Sequence, residues 1–134
     1  MADFVLDTSA ILALRSDEAG ADRVERILRR ARDGSAIVLL SFMTRMELLY
    51  RITADEDEES ARTAIRLLDS SGIGWVSCDD AILDEAARMK ARGGLSVADA
   101  WIAATARHGD AVLVHRDPEF ERVSMVRQER LPDR

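Results

Sequence analysis

An α/β fold built on a mostly parallel sheet is the class this sequence predicts, on three observations. Short apolar runs of strand length alternate from end to end with longer segments whose apolar residues recur at helical spacing. Several of the helical segments open at a Ser or Asp and close at glycine, the residue types that cap helix ends. At 134 residues the chain has the length of a single domain, expected to span 1–134, with enough material to bury a proper core. Strand–helix alternation implies right-handed crossovers and helices on both faces of the sheet.

The elements follow in order. Phe4 to Asp7 reads as a buried strand, and Thr8-Ser9-Ala10 leads into a short helical run through Leu14. From Ala21 to Ala31, Val24, Ile27, Leu28 and Ala31 fall at helical spacing with arginines opposite, and Gly34 breaks the run. Ala36 to Leu40 is a second strand, after which Ser41 is placed to cap a helix reaching about Ala54. Acidic residues suit the N-terminal end of a helix from about Asp57 to Ser70. Gly72 and Gly74 bracket the turn into a strand at Trp75 to Ser77, and Asp79 or Asp80 starts a helix that Gly93-Gly94 stops. Ser96 caps a helix from Val97 to about Arg107. His108-Gly109-Asp110 then turns into a strand at Ala111 to His115, and a fifth strand is expected at Val123 to Val126.

Bulk properties exclude several classes. Hydrophobic residues at 47% and charged ones at 33% are the balance of a soluble globular protein. The longest apolar stretch, Ala36 to Met43, is far too short for a bilayer, so no membrane role is expected. The opening Met1-Ala2-Asp3-Phe4 lacks a basic leader, and Cys78 is the only cysteine; a cytoplasmic location is the expectation. The net charge of −6 argues against a nucleic-acid ligand when taken alone. Its distribution weakens that objection, because an acidic block at Asp55 to Glu59 stands apart from arginines at 23, 26, 29, 30 and 32. Acids gathered around a cation would also not present their full charge.

Chemistry rests on four carboxylates embedded in apolar segments, Asp7, Glu47, Asp99 and Asp117. Burying a lone carboxylate is expensive, and one divalent cation can serve several. Asp7 and Asp117 follow strands, Asp99 stands in the first turn of a helix, and Glu47 lies inside the helix after the second strand. All four are able to reach the carboxyl rim of the sheet, where such folds bind ligands. Each also has a plainer reading. Asp7 suits a cap or turn, Glu47 has Arg51 four residues on, and Asp99 makes a capping box with Ser96. Asp117 suits the turn before Pro118. His115 reads as a ligand or a structural histidine, and Arg116 as a phosphate contact or a solvated charge. Rival schemes lack their parts: there is no glycine-rich phosphate loop, and two histidines support no Ser–His–Asp grouping. A phosphotransfer receiver would want a further Asp where Ser9 stands, and a lysine after a later strand; Lys90, the only lysine, lies within a helix.

Taken together, Leu6-Asp7-Thr8-Ser9-Ala10, Glu47, Ser96-Val97-Ala98-Asp99-Ala100 and Val114-His115-Arg116-Asp117-Pro118-Glu119-Phe120 resemble the PIN domain in order and spacing across nearly the whole chain. The length suits the VapC-type toxin branch of that family, and the pattern departs at His115, where many relatives carry Thr or Ser. The resemblance implies a three-layer α/β/α sandwich. It implies that Asp7, Glu47, Asp99 and Asp117 bind Mg²⁺ or Mn²⁺ and cleave RNA endonucleolytically. It further implies a cognate antitoxin and a homodimer. Two cations about 4 Å apart can activate water, shield a phosphoryl group and stabilise the leaving oxygen. In that scheme Asp7 and Asp99 are the principal ligands, Glu47 completes a site or orients the water, and Asp117 acts through water. The arginine helix and Arg116 are candidates to hold RNA, against the plainer reading of a solvated face. The alternatives are a PIN-type RNA-processing nuclease outside a toxin–antitoxin pair, or a non-catalytic PIN-like binding module.

Overall fold

In the computed structural model, which describes residues 2–133, five strands form one sheet. They are β1 (Phe4–Leu6), β2 (Val38–Ser41), β3 (Gly74–Val76), β4 (Val112–His115) and β5 (Gln128–Arg130), in the order β3-β2-β1-β4-β5. Every neighbouring pair is parallel, with Phe4 opposite both Val38 and Val112. The connections carry the helices α1 (Thr8–Arg15), α2 (Ala21–Asp33), α3 (Phe42–Asp55), α4 (Glu58–Asp69), α5 (Asp80–Ala91) and α6 (Val97–His108). A 3₁₀ helix, Pro118–Arg122, follows β4.

Alternation along the strands builds two cores. Phe4, Leu6, Val38, Leu40 and Val114 point into the first, where they meet Val24 and Ile27 of α2, Leu48 and Ile52 of α3, and Ile65 of α4. Val5 and Leu113 point the other way, against Ile82 and Met89 of α5 and Ile102 and Ala103 of α6. The result is a three-layer α/β/α sandwich. Because β1 is followed by β2 on one side and joined by β4 on the other, the strand order reverses between β1 and β4. A crevice opens at the carboxyl ends of strands at such a point.

Caps match their sequence signals. Ser41 Oγ accepts the Met43 N–H at 3.1 Å, Asp57 Oδ1 accepts from Ser60 at 2.6 Å, and Asp79 Oδ1 accepts from Ile82 at 2.8 Å. Gly72 is required by the turn into β3. Its φ is +86°, and a Cβ there would stand 2.7 Å from the Ala31 carbonyl oxygen at the end of α2.

The fifth strand departs from expectation. Val123 and Val126 are buried plugs of the second core, and the strand lies further on at Gln128–Arg130. Pro118 and the Asp117 cap favour a 3₁₀ turn after β4, which sets back the point at which the chain rejoins the sheet. As a polar edge strand, β5 carries no hydrophobic signal; Glu129 is bound by Arg23 at 2.7 Å, and Arg130 by Glu121 at 2.8 Å.

Candidate functional site

Asp7 is placed where β1 becomes α1. As the N-cap it accepts the Ser9 N–H at 3.1 Å through Oδ2, and the Ser9 hydroxyl binds the same oxygen. Ser9 Oγ in turn accepts the Arg116 N–H at 2.9 Å, so one hydroxyl ties the end of β1 to the end of β4. Only 4% of Asp7 is exposed. Burial pushes its carboxyl up from 3.8 to about 6; the bonds from Ser9 oppose the shift, and the charges of Glu47 and Asp117 add to it.

Glu47 reaches the same place from α3. Thr8, buried at the start of α1, has its Oγ1 2.8 Å from Glu47 Oε1 and 3.1 Å from Thr44 Oγ1. An ionised carboxylate only accepts, so Thr8 donates to Glu47 and receives the Thr44 proton. Glu47 therefore bonds with the Thr8–Thr44 pair, and the helical ion pair with Arg51 does not form among the described residues.

Asp99 sits in the first turn of α6, its N–H bound to Ser96 Oγ at 3.1 Å as the capping pattern requires. Its carboxyl is pushed up to about 7. Burial is the main cause, followed by the charges of Asp7 and Asp117 and a hydrogen bond to the Asp117 carboxyl. Asp117 caps the 3₁₀ helix, taking the Glu119 N–H at 2.9 Å. All four predicted acids thus act electrostatically on at least one other member, and they converge on the reversal point between β1 and β4.

Glu119 was not singled out from the sequence. Ligand oxygens of Asp99, Asp117 and Glu119 all lie within 4.8 Å of one another. The available signal was its place two residues after Asp117, in the first turn of the segment that follows β4.

Of the two other expectations, His115 takes the plainer, structural reading, while Arg116 fits neither of its readings, its side chain being only 9% exposed. His115 is fully buried, with both ring nitrogens engaged: Nε2 lies 2.9 Å from Gln128 Oε1, and Nδ1 accepts the Asp117 N–H at 3.1 Å. Burial moves its pKa down. Arg116 turns from the acids to Glu18 at 3.2 Å and the Ala19 carbonyl at 3.4 Å. On α2, the guanidinium groups of Arg23 and Arg30 lie over Phe4, at the end of β1 opposite Asp7. Two surface grooves are lined by residues other than the acids. One of about 590 Å³ runs along α3 and α4 past Met46 and Tyr50; another of about 510 Å³ is lined by Ile11, Leu14, Leu28 and Leu67.

A parallel α/β/α sandwich with acids gathered at its switch point belongs to the class of folds that bind ligands beyond the carboxyl ends of their strands, and comparison supplies the family. The PIN domain model matches residues 4–125. The chain belongs to the PIN domain family. None of the curated proteins matches it by sequence. Among solved structures, VapBC from Salmonella typhimurium bound to DNA is 23% identical, with 97% of this chain and 98% of that one covered at a TM-score of 0.76. VapBC-1 from nontypeable Haemophilus influenzae is 24% identical, covering 95% and 96%, at 0.73. VapC20 of Mycobacterium tuberculosis, described as a sarcin–ricin loop cleaving toxin, is 16% identical, covering 97% and 100%, at 0.71. At these identities the likeness speaks for the fold.

Proposed function

We propose that this chain, as one PIN unit over 1–134, is a divalent-metal-dependent endoribonuclease and the toxin of a VapBC-type toxin–antitoxin pair. The observation that carries the reading is the convergence of Asp7, Glu47, Asp99 and Asp117 from four separate segments, with Glu119 beside them. Nothing in folding calls for so many acids in mutual repulsion, and raised carboxyls in a cleft mark a working site.

The donor set fits a hard cation. Carboxylate oxygens are what Mg²⁺ and Mn²⁺ prefer, and Asp99, Asp117 and Glu119 already bring theirs together within 4.8 Å. Asp7 and Asp99 would be the principal ligands, with Asp117 and Glu119 at the outer side. When bound, the cation supplies charge neutralisation of the phosphodiester and a more acidic water. The chain does the rest. Glu47, held by Thr8, is oriented to take a proton from the attacking water. Asp99 and Asp117 share a hydrogen bond, and to hold a cation together they would give up its proton, which would couple binding to pH. Ser9 holds Asp7 against the backbone of Arg116, fixing the span between the two strand ends.

The partners follow the structural relatives described as VapBC complexes. A cognate antitoxin and a second copy of this chain are proposed, acting in the cytoplasm. Exposed Met46, Tyr50 and Leu67 provide apolar surface for them, and among the described residues no helix is long and apolar enough to cross a membrane. The reading is tested by incubating pure protein with a mixed RNA pool in Mg²⁺, Mn²⁺ or EDTA. Cleavage in metal that stops in EDTA is expected; cleavage that persists in EDTA, or no cleavage with either ion, would contradict it.

A further inference from the structure

We propose that His115 and Gln128 are positioning residues that set Asp117 and its 3₁₀ turn against Asp99, an assignment that rests on reading Asp117 as part of the cation site. The argument starts at Gln128 on β5. Its side-chain nitrogen donates to the Phe120 carbonyl at 2.7 Å and to the Val123 carbonyl at 2.8 Å. Two carbonyl oxygens can be faced only by an NH₂ group, so the amide orientation is decided and Oε1 must face the other way.

What Oε1 faces is His115 Nε2, 2.9 Å away. An amide oxygen only accepts, so Nε2 carries the ring proton. In the neutral ring Nδ1 is then a lone-pair acceptor, and it receives the Asp117 N–H at 3.1 Å. The chain of bonds runs from two carbonyls through an amide and an imidazole to one backbone N–H, with a single donor direction throughout. Both ends lie on the same segment: Asp117 opens the 3₁₀ helix, Phe120 lies at its middle and Val123 closes it. His115 also packs its ring at 5.0 Å from that of Phe120, and both residues are fully buried.

The bonds therefore close segment 117–123 into a braced loop that presents Asp117 and Glu119. Neither His115 nitrogen is left to bind a cation. The ring acts on the site only through the Asp117 backbone, as outer partners orient ligands elsewhere. Without the brace, the turn would keep its Asp117 cap but lose its fixed distance from Asp99.

The test separates this role from mere packing. In unmodified protein, long-range ¹H–¹⁵N spectra are expected to show His115 protonated at Nε2 only, and amide exchange at Asp117 is expected to be slow. A proton on Nδ1, or fast exchange at Asp117, would overturn the assignment with no variant needed. Mn²⁺ calorimetry then compares His115→Asn with His115→Gln. The Asn oxygen replaces Nδ1 and keeps the acceptor for Asp117, whereas Gln reaches only toward Nε2. The Asn variant, which keeps the acceptor for Asp117 but gives up the bond to Gln128, should bind Mn²⁺ about threefold more weakly than the unmodified protein, and the Gln variant about tenfold more weakly. Equal loss in both, or loss in neither, would overturn the positioning role while leaving the nuclease reading intact. Failure of the unmodified protein to bind Mn²⁺ would instead bring down the functional reading, and this assignment with it.

Discussion

Asp7 has the least solvent of the acids in the cleft, and its burial makes a prediction about the metal-free protein. Its folded pKa, about 6, lies above the ordinary 3.8, so the native state holds a proton that the unfolded chain has released. Stability from this group is complete below about pH 4 and is lost as pH rises through 6. Asp7→Asn removes the burden and keeps a capping side chain. In EDTA it should leave stability unchanged near pH 4 and raise it above pH 7, by at most about 3 kcal/mol, read from urea midpoints. Cation affinity should move the opposite way: with Asp99 raised to about 7, Mn²⁺ binding should strengthen steadily from pH 5.5 to 7.5 in calorimetry. Thr8→Val tests the support of Glu47. It should lower Mn²⁺ affinity about tenfold and cost about 1–3 kcal/mol of stability, since the buried hydroxyl's bonds to Glu47 and Thr44 are both lost. These roles were half legible in the sequence. A carboxylate inside an apolar run was visible at positions 7, 47, 99 and 117. The long-range partners were not, because Thr8–Glu47 and Ser9–Arg116 join residues 39 and 107 apart.

Among the elements, strands and helices with clear period and caps were readable to within a residue or two, and α3, α5 and α6 begin at the caps their sequence proposes. Local chemistry decided them. β5 was missed because an edge strand is paired on one side and lives among charges, so Gln128-Glu129-Arg130 looks like a solvated tail. Val123 and Val126 drew the expected strand to themselves by hydropathy alone, although they pack without strand geometry. The turn from α4 to β3 offers a clean test. Gly72→Ala combines positive φ with a contact of 2.7 Å to the Ala31 carbonyl oxygen, and it should destabilise the protein by about 1–3 kcal/mol in urea unfolding. An unchanged midpoint would mean that α2 and β3 are less tightly joined than described.

For the whole molecule, topology does what no single motif does. Placing β1 between β2 and β4 brings residues 7, 99 and 117 to one crevice, and the helix after β2 adds Glu47. The net charge of −6 is partly this gathering, and the sign of the whole chain says little about a phosphate ligand once a cation stands between them. Arginines that the sequence offered as an RNA surface are largely engaged elsewhere: Arg23 with Glu129, Arg29 with Glu25, Arg116 with Glu18. The most direct test of the central claim is cleavage of one RNA pool in Mg²⁺ by the unmodified protein, Asp7→Asn and Asp99→Asn side by side, with the product ends identified. The account predicts cutting by the unmodified protein, ends without a cyclic phosphate, and a loss of more than about 100-fold in each variant. Full activity in either variant, or cyclic phosphate ends, would contradict it.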